Sequence, residues 1–377
     1  MNKPDLNKLV SLRKELHQYP ELSGKEKNTS SRIKKFFREF PPDEVVEGMG
    51  PNGIAVIFKG EEEGPTTMVR SELDALPIQE EGNIQHISKH VGVSHTCGHD
   101  GHMAIACGVG LQLATRRPKK GKVVLLFQPS EETGEGAEQV IASKGFDKIL
   151  PDYAFALHNL PGFDKNQVVL KKGVFTAAST GMVITLKGKT SHAAHPEDGN
   201  SPAEAMCKIM VGLEKLPASF ADFALITIIH AVLGEVAFGT TPGEAKVMAT
   251  MRSYENETMD KMISYAEKLV HAIAKEYKLN VSIDYCEAFQ ASENDPEAWE
   301  YVNDASKALK LKTKHIRTPF RWSEDFGHFS TVTKSMLFGL GAGKRQPQLH
   351  ESRYDFPDEL IPVGVGLFME TIKKINF

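Results

Sequence analysis

Residues 122–132 read Lys122-Val123-Val124-Leu125-Leu126-Phe127-Gln128-Pro129-Ser130-Glu131-Glu132, an unbroken apolar run that meets a turn and then two carboxylates. A strand with one wet face alternates apolar and polar side chains, so a continuous run describes a strand covered on both faces. Similar runs stand at 53–58, 66–69 and 153–157. Helical periodicity occupies 6–19, where Pro20 helps to stop it, and also 27–40, 102–114 and 137–143. Strands alternating with helices predict an α/β domain with a mostly parallel sheet flanked by helices.

From about residue 181 the rhythm changes. Strands at 182–186, 223–232, 244–252 and 280–287 enclose helices at 201–216 and 257–277, the β-α-β-β-α-β order of a ferredoxin-like unit. Helix and strand then alternate again through 296–311, 335–340 and 362–375. The reading is one α/β domain built from residues 1–176 and 290–377, with an α+β domain inserted at 177–289.

Lys plus Arg number 45 against 49 Asp plus Glu in 377 residues, a net charge of −4. That balance lacks the basic footprint of a nucleic-acid binder and points to a small-molecule partner. The first ten residues carry Lys3, Asp5 and Lys8, with no apolar signal core behind them. The most apolar later stretch, 223–233, is far below the ~18 residues of a membrane span. Cys97, Cys107, Cys207 and Cys286 form no C-x-x-C pair, which suits a reducing compartment. A cytoplasmic protein without membrane attachment is expected.

The densest polar stretch is His95-Thr96-Cys97-Gly98-His99-Asp100-Gly101-His102, expected on a turn before a helix. Imidazole and thiolate are good ligands for zinc and its neighbours, and the two glycines let the backbone turn tightly. Read alone, the turn is equally compatible with a solvated loop, as Glu131 and Glu132 are with a wet acidic pair. In open parallel sheets, however, ligands bind beyond the carboxyl ends of the strands. The 66–69 run leads to Glu72 and Asp74, the 153–157 run to His158, and the 122–127 run to Glu131 and Glu132. Polar groups recurring at one sheet edge favour a metal site. A purely structural zinc would call for more cysteines, so the mixed donor set points to a catalytic site. The chain has no H-E-x-x-H, nucleophile elbow, phosphate-binding loop or dinucleotide fingerprint.

Over nearly its whole length the sequence resembles the aminoacylase, hippurate hydrolase and indole-acetyl-amino-acid hydrolase group of metallo-amidohydrolases, related to carboxypeptidase G. The ordered motifs are Leu16-His17-Gln18-Tyr19-Pro20-Glu21-Leu22-Ser23, Arg70-Ser71-Glu72-Leu73-Asp74-Ala75-Leu76-Pro77, residues 95–102, Gln128-Pro129-Ser130-Glu131-Glu132, Ser191-His192-Ala193-Ala194-His195-Pro196, Ser323-Glu324-Asp325-Phe326 and Leu349-His350. The resemblance implies two divalent metal ions (Zn, Mn, Co or Ni) held by Cys97, His99, Glu132, His158 and His350. It adds His350, which nothing local singles out.

It further implies that a metal-bridging hydroxide attacks the amide of an N-acyl amino acid while Glu131 acts as general base. His192 would help to stabilise the oxyanion from the partner subunit of a homodimer, making the insertion both lid and dimerisation module. Asp74 would orient a metal ligand. Arg252 could pair with a substrate carboxylate, although a surface arginine reads equally well. His195 is expected to be a packing or surface residue, and His17, Glu324 and Asp325 structural.

Two positions depart from the resemblance: Glu72 stands where many relatives have Asp, and Phe238-Gly239-Thr240-Thr241-Pro242 lacks an Asn common near Gly239. The rival readings are a metallo-exopeptidase and a non-catalytic metal-dependent binding protein of the same fold.

Overall fold

The computed structural model describes residues 2–377. Helix α1 (Lys3–Gln18) starts where the Asn2 side chain accepts the Asp5 N–H at 2.9 Å, and it buries Leu9, Leu12 and Leu16. Helix α2 (Lys27–Phe36) ends earlier than the periodicity predicts. Arg38 and Glu39 donate to Lys35 and Phe36, tightening the last turn to i→i+3 bonds ahead of Pro41 and Pro42.

Strands β1 (Glu44–Met49), β2 (Gly53–Lys59) and β3 (Glu62–Glu72) precede helix α3 (His99–Thr115) and strand β4 (Lys120–Gln128). Helix α4 (Gly136–Ile141) leads to β5 (Tyr153–Pro161), β6 (Val168–Leu170) and β7 (Gly173–Thr176). The inserted segment supplies β8 (Ala178–Lys187), α5 (Ala203–Lys215), β9 (Ala224–Leu233), β10 (Glu244–Ser253), α6 (Asn256–Glu276) and β11 (Asn280–Phe289). Then follow β12 (Ser292–Asn294), α7 (Pro296–Ala308), β13 (Thr313–His315), β14 (Lys334–Gly343) and α8 (Leu360–Asn376).

The chain divides into two compact units, the first comprising 1–175, 292–319 and 325–377, the second 176–291 and 320–324. Segment 320–324 belongs to the second because Ala177 N–H bonds the carbonyls of Phe320 and Trp322.

The first unit is built on an eight-stranded sheet of order β1-β2-β4-β3-β5-β14-β6-β13. Its centre, β4-β3-β5-β14, is wholly parallel, while β2 joins β4 and β6 joins β14 antiparallel. The central strands are buried on both faces, with Val123 to Phe127 completely so. Helices α1, α3, α7 and α8 supply the covering apolar groups, among them Leu9, Val109, Val302 and Phe368. The α/β class holds, and the carboxyl ends of β3 and β4 stand side by side with Glu72 opposite Gln128.

The second unit has an antiparallel sheet of order β11-β8-β10-β9, the ferredoxin-like arrangement. On β10 the alternate residues Ala245, Val247, Ala249 and Met251 are buried, and α6 turns Met259, Met262, Ala266 and Val270 inward.

Two local expectations change. Helix α3 begins at His99 rather than at 102, so His99, Asp100 and Gly101 lie on its first turn and not on a preceding loop. Gly98 makes the early start possible: its φ is 92°, and a Cβ there would stand 2.6 Å from Asn159 Oδ1. Strand β5 continues to Pro161, so His158 sits inside a strand and not at its end.

Candidate metal centre

The loop after β3 carries Asp74, the loop before α3 carries Cys97, the turn after β4 carries Glu131 and Glu132, β5 carries His158, and the segment after β14 carries His350. These side chains converge. Single donor atoms of Cys97, His99 and His158 lie within 4.8 Å of one another, and so do those of Cys97, Glu132 and His350, and of His99, Glu131 and Glu132. The backbone explains how a residue in the last tenth of the chain joins them: His350, at φ 67°, donates its N–H to Thr96 O at 3.0 Å.

The separations suit shared cations. Two donors about 2.0–2.3 Å from one tetrahedral ion stand about 3.3–3.8 Å apart. Cys97 Sγ is 3.5 Å from His158 Nε2, and His99 Nε2 is 3.7 Å from a carboxylate oxygen of both Glu131 and Glu132. His350 Nε2 is 3.7 Å from Glu132 Oε2. The buried Nε2 of His99 has no hydrogen-bond partner among the described residues, an arrangement that costs free energy unless a cation or a water occupies that position. Cys97 is common to the first two of these donor groups, so the thiolate can serve both ions of a pair.

The ring orientations are set from behind. His99 Nδ1 donates to the carbonyl oxygen of Asp74 at 2.9 Å, and His158 Nδ1 to Asn159 O at 3.0 Å, which turns both Nε2 atoms toward the cluster. Asp74 is itself pinned: its Oδ2 accepts from Ser23 Oγ at 2.7 Å and from Glu132 N–H at 3.0 Å.

Without a cation the electrostatics are strained in a consistent direction. Burial disfavours a charged His99, yet the hydrogen bond to Asp74 and the charges of Glu72 and Glu132 hold its proton up to about 10. Burial and the neighbouring Glu132 and Glu131 push the Cys97 thiol well above its ordinary value. Burial, reinforced by His102, takes His158 down to about 3, which favours its neutral ring. The site collects carboxylates and calls for positive charge, and the donor set of thiolate, imidazole and carboxylate fits divalent first-row ions.

Glu72 and His102 are close by but occupied. His102 Nδ1 donates to Glu72 Oε2 at 2.7 Å, its Nε2 accepts from Asn159 N–H at 3.3 Å, and Glu72 also pairs with Arg70. Arg70 continues to Asp325, whose carboxylate takes the Gln128 amide and the Ala137 N–H. The longer Glu72 therefore bridges Arg70 and His102. Strand alternation puts residues 70 and 72 on one face, which is legible in the sequence.

A second buried network could not have been foreseen locally. His17 meets Asp100 at 2.8 Å and Glu80 at 3.0 Å, while Arg13 meets Asp100 at 3.2 Å, Asp355 at 2.6 Å and Asp358 at 2.8 Å.

His192 and Arg252 belong to the inserted unit. His192 is exposed, and its Nδ1 accepts the Ala194 N–H at 3.0 Å, which leaves the proton of the neutral ring on Nε2. His195 is exposed beside Glu197. Arg252 donates to Arg321 O and Ser323 Oγ, both at 3.0 Å.

A profile of Peptidase family M20/M25/M40 matches residues 68–374. An N-acetyldiaminopimelate deacetylase of Listeria innocua is 29% identical over 98% of this chain and 100% of its own length. An N-acetylcysteine deacetylase of Bacillus subtilis is 27% identical over 96% and 95%. The crystal structure of a Bacillus subtilis protein described as a dinuclear metal binding peptidase from the M20 family matches with a TM-score of 0.84 at 26% identity, over 98% of both chains.

Proposed function

Because the chain belongs to peptidase family M20/M25/M40 and is a hydrolase of the amidohydrolase kind, we propose that it cleaves the amide bond of N-acyl amino acids. In this reading Cys97, His99, Glu132, His158 and His350 hold two divalent ions. The observation that carries it is the meeting of Cys97, Glu132 and His350 within 4.8 Å, three residues drawn from loops more than 200 positions apart at the extremes.

Bound there, the ions would supply Lewis acidity toward the amide carbonyl and lower the pKa of water to about 7. Glu131, nearly buried and next to the ligand Glu132, takes the proton from the attacking water and returns it to the departing amine. Asp74 fixes His99 and the Glu132 backbone together. No covalent acyl-enzyme is required.

His192 donates from Nε2 to the developing oxyanion, and a second copy of the chain supplies it. Two features of the inserted unit support a homodimer: β9 is an edge strand of its sheet, and Val236 and Phe238 just beyond it are fully exposed. Arg252 is the residue assigned to a substrate carboxylate. Among the described residues no helix is long and apolar enough to cross a membrane. A reducing, cytoplasmic setting keeps Cys97 available as a ligand.

The test is a panel of N-acetyl, N-benzoyl and longer N-acyl amino acids with dipeptides alongside, assayed after reconstitution with Zn, Mn, Co and Ni. Turnover of N-acyl amino acids is expected. Turnover confined to substrates with a free amino terminus would instead make the protein an exopeptidase, and none at all would leave a binding protein.

A further inference from the structure

Glu26 is completely buried, and no step of the proposed reaction uses it. Its Oε1 accepts the N–H of Gly24 at 2.8 Å and of Ser130 at 2.9 Å, and its Oε2 accepts Asn52 Nδ2 at 2.9 Å. Three separate stretches of chain thus meet on one carboxylate, and one of them is the turn that presents Glu131.

That turn is held in an unfavourable backbone conformation. Ser130 has φ 55°, the left-handed region that a non-glycine residue keeps only when its surroundings over-determine it. Its carbonyl accepts from Gly136 N–H at 3.1 Å and Thr133 Oγ1 at 3.3 Å. On its amino side Pro129 has no N–H to offer and is wedged between Gly53 and Gly136, where a Cβ would come within 2.8 Å of Pro129 Cδ and 1.7 Å of Pro129 O respectively. The Ser130 N–H is buried and depends on Glu26. Without that acceptor the donor would be stranded, and relaxation of Ser130 to negative φ would swing the peptide that leads into Glu131.

We propose that Glu26 is a positioning residue for the general base Glu131, acting through the Ser130 N–H. The inference rests on Glu131 being the base. What the turn requires is an acceptor at the reach of Oε1, not a negative charge. Glu26→Gln keeps that acceptor, since the facing Asn52 amide can turn over, whereas Glu26→Asp keeps the charge but falls one methylene short.

The experiment compares Glu26→Gln, Glu26→Asp and Glu26→Ala as holoenzymes. For Asp and Ala, kcat is expected to fall about 10- to 100-fold, the scale of a small misplacement of a catalytic group, with KM within about threefold. Metal stoichiometry by calorimetry should stay that of the wild type, and Glu26→Gln should retain kcat within about threefold. If Glu26→Ala does not fold, the contrast between Gln and Asp decides. Equal kcat in those two, or a loss that follows lost metal, overturns the proposal. Hydrogen exchange of the 129–136 segment is a second readout that needs no turnover: exchange must quicken in Glu26→Asp and not in Glu26→Gln. If the wild type turns over no amide, the hydrolase reading fails, while exchange still judges the Glu26 contact.

Discussion

The imidazole of His99 is fixed by the main chain of Asp74: Nδ1 lies 2.9 Å from the Asp74 carbonyl oxygen, so Nε2 faces Glu131 and Glu132. The carboxylate of the same aspartate holds Ser23 Oγ and the Glu132 N–H. One residue thereby sets the position of two proposed ligands. Asp74→Ala keeps the carbonyl that holds His99 and removes the carboxylate that holds Ser23 and the Glu132 N–H, so metal binding is expected to weaken about 10-fold through Glu132, measured by competition with a chromophoric chelator, with the far-UV circular dichroism unchanged.

The neighbouring carboxylates should separate cleanly. Glu131→Ala is expected to keep both ions but lose about 10²- to 10⁴-fold in kcat, the range for a removed acid–base group. Glu132→Ala should lose metal affinity instead. Elemental analysis after dialysis, alongside the rate, distinguishes them, and equal metal loss in both variants would remove Glu131 from its role.

Metal uptake should release protons. In the cation-free protein His99 keeps its proton up to about 10, and burial with Glu132 and Glu131 keeps Cys97 a thiol. A cation displaces both, so affinity rises with pH across the neutral range. Calorimetry near pH 7.5 in buffers of different ionisation enthalpy should find roughly two protons released per chain. A value near zero would contradict Cys97 and His99 as ligands.

The cation-free protein should also lose stability toward alkaline pH. Burial opposes the charge on His17, but Asp100 and Glu80 outweigh it and raise the ring from 6.5 to about 10. A pKa higher in the folded than in the unfolded chain contributes stability that is complete below about 6.5 and is lost as pH rises through about 10. His17→Leu should cost about 3–5 kcal/mol at pH 6, as expected for breaking a buried ion pair, and the gap to wild type should narrow toward pH 10. Chemical denaturation at several pH values measures this.

Complementation tests His192. Mixing Glu131→Gln chains with His192→Ala chains should restore activity in heterodimers, because one of the two sites then has both groups. Absence of rescue, with subunit exchange verified by mass spectrometry, would place His192 within its own chain or outside the reaction.

Much of the architecture is local information. The run at 123–127, set between helical stretches, reads as a doubly covered strand, and the alternation on β10 and the spacing on α6 are periodicities that any short window reveals. Helix starts were harder. Residues 99–101 are helical because Gly98 turns the chain at φ 92°, at a point where Asn159 leaves no room for a side chain. Short strands such as β6 and β13 lack a pattern of their own and exist because a neighbouring strand offers hydrogen bonds.

The order of side chains along the polypeptide determined which donors the protein owns: a thiol, several imidazoles and paired acids at the carboxyl ends of strands. Where they meet was decided by the folded chain. His350 reaches Cys97 through a backbone bond to Thr96, and Arg13 and His17 ion-pair with Asp100, beside His99. Composition and periodicity report how each segment buries its apolar face, a property of adjacent residues. Closing a site from segments hundreds of positions apart requires complementary partners, and these become neighbours only when the sheet and its covering helices have packed.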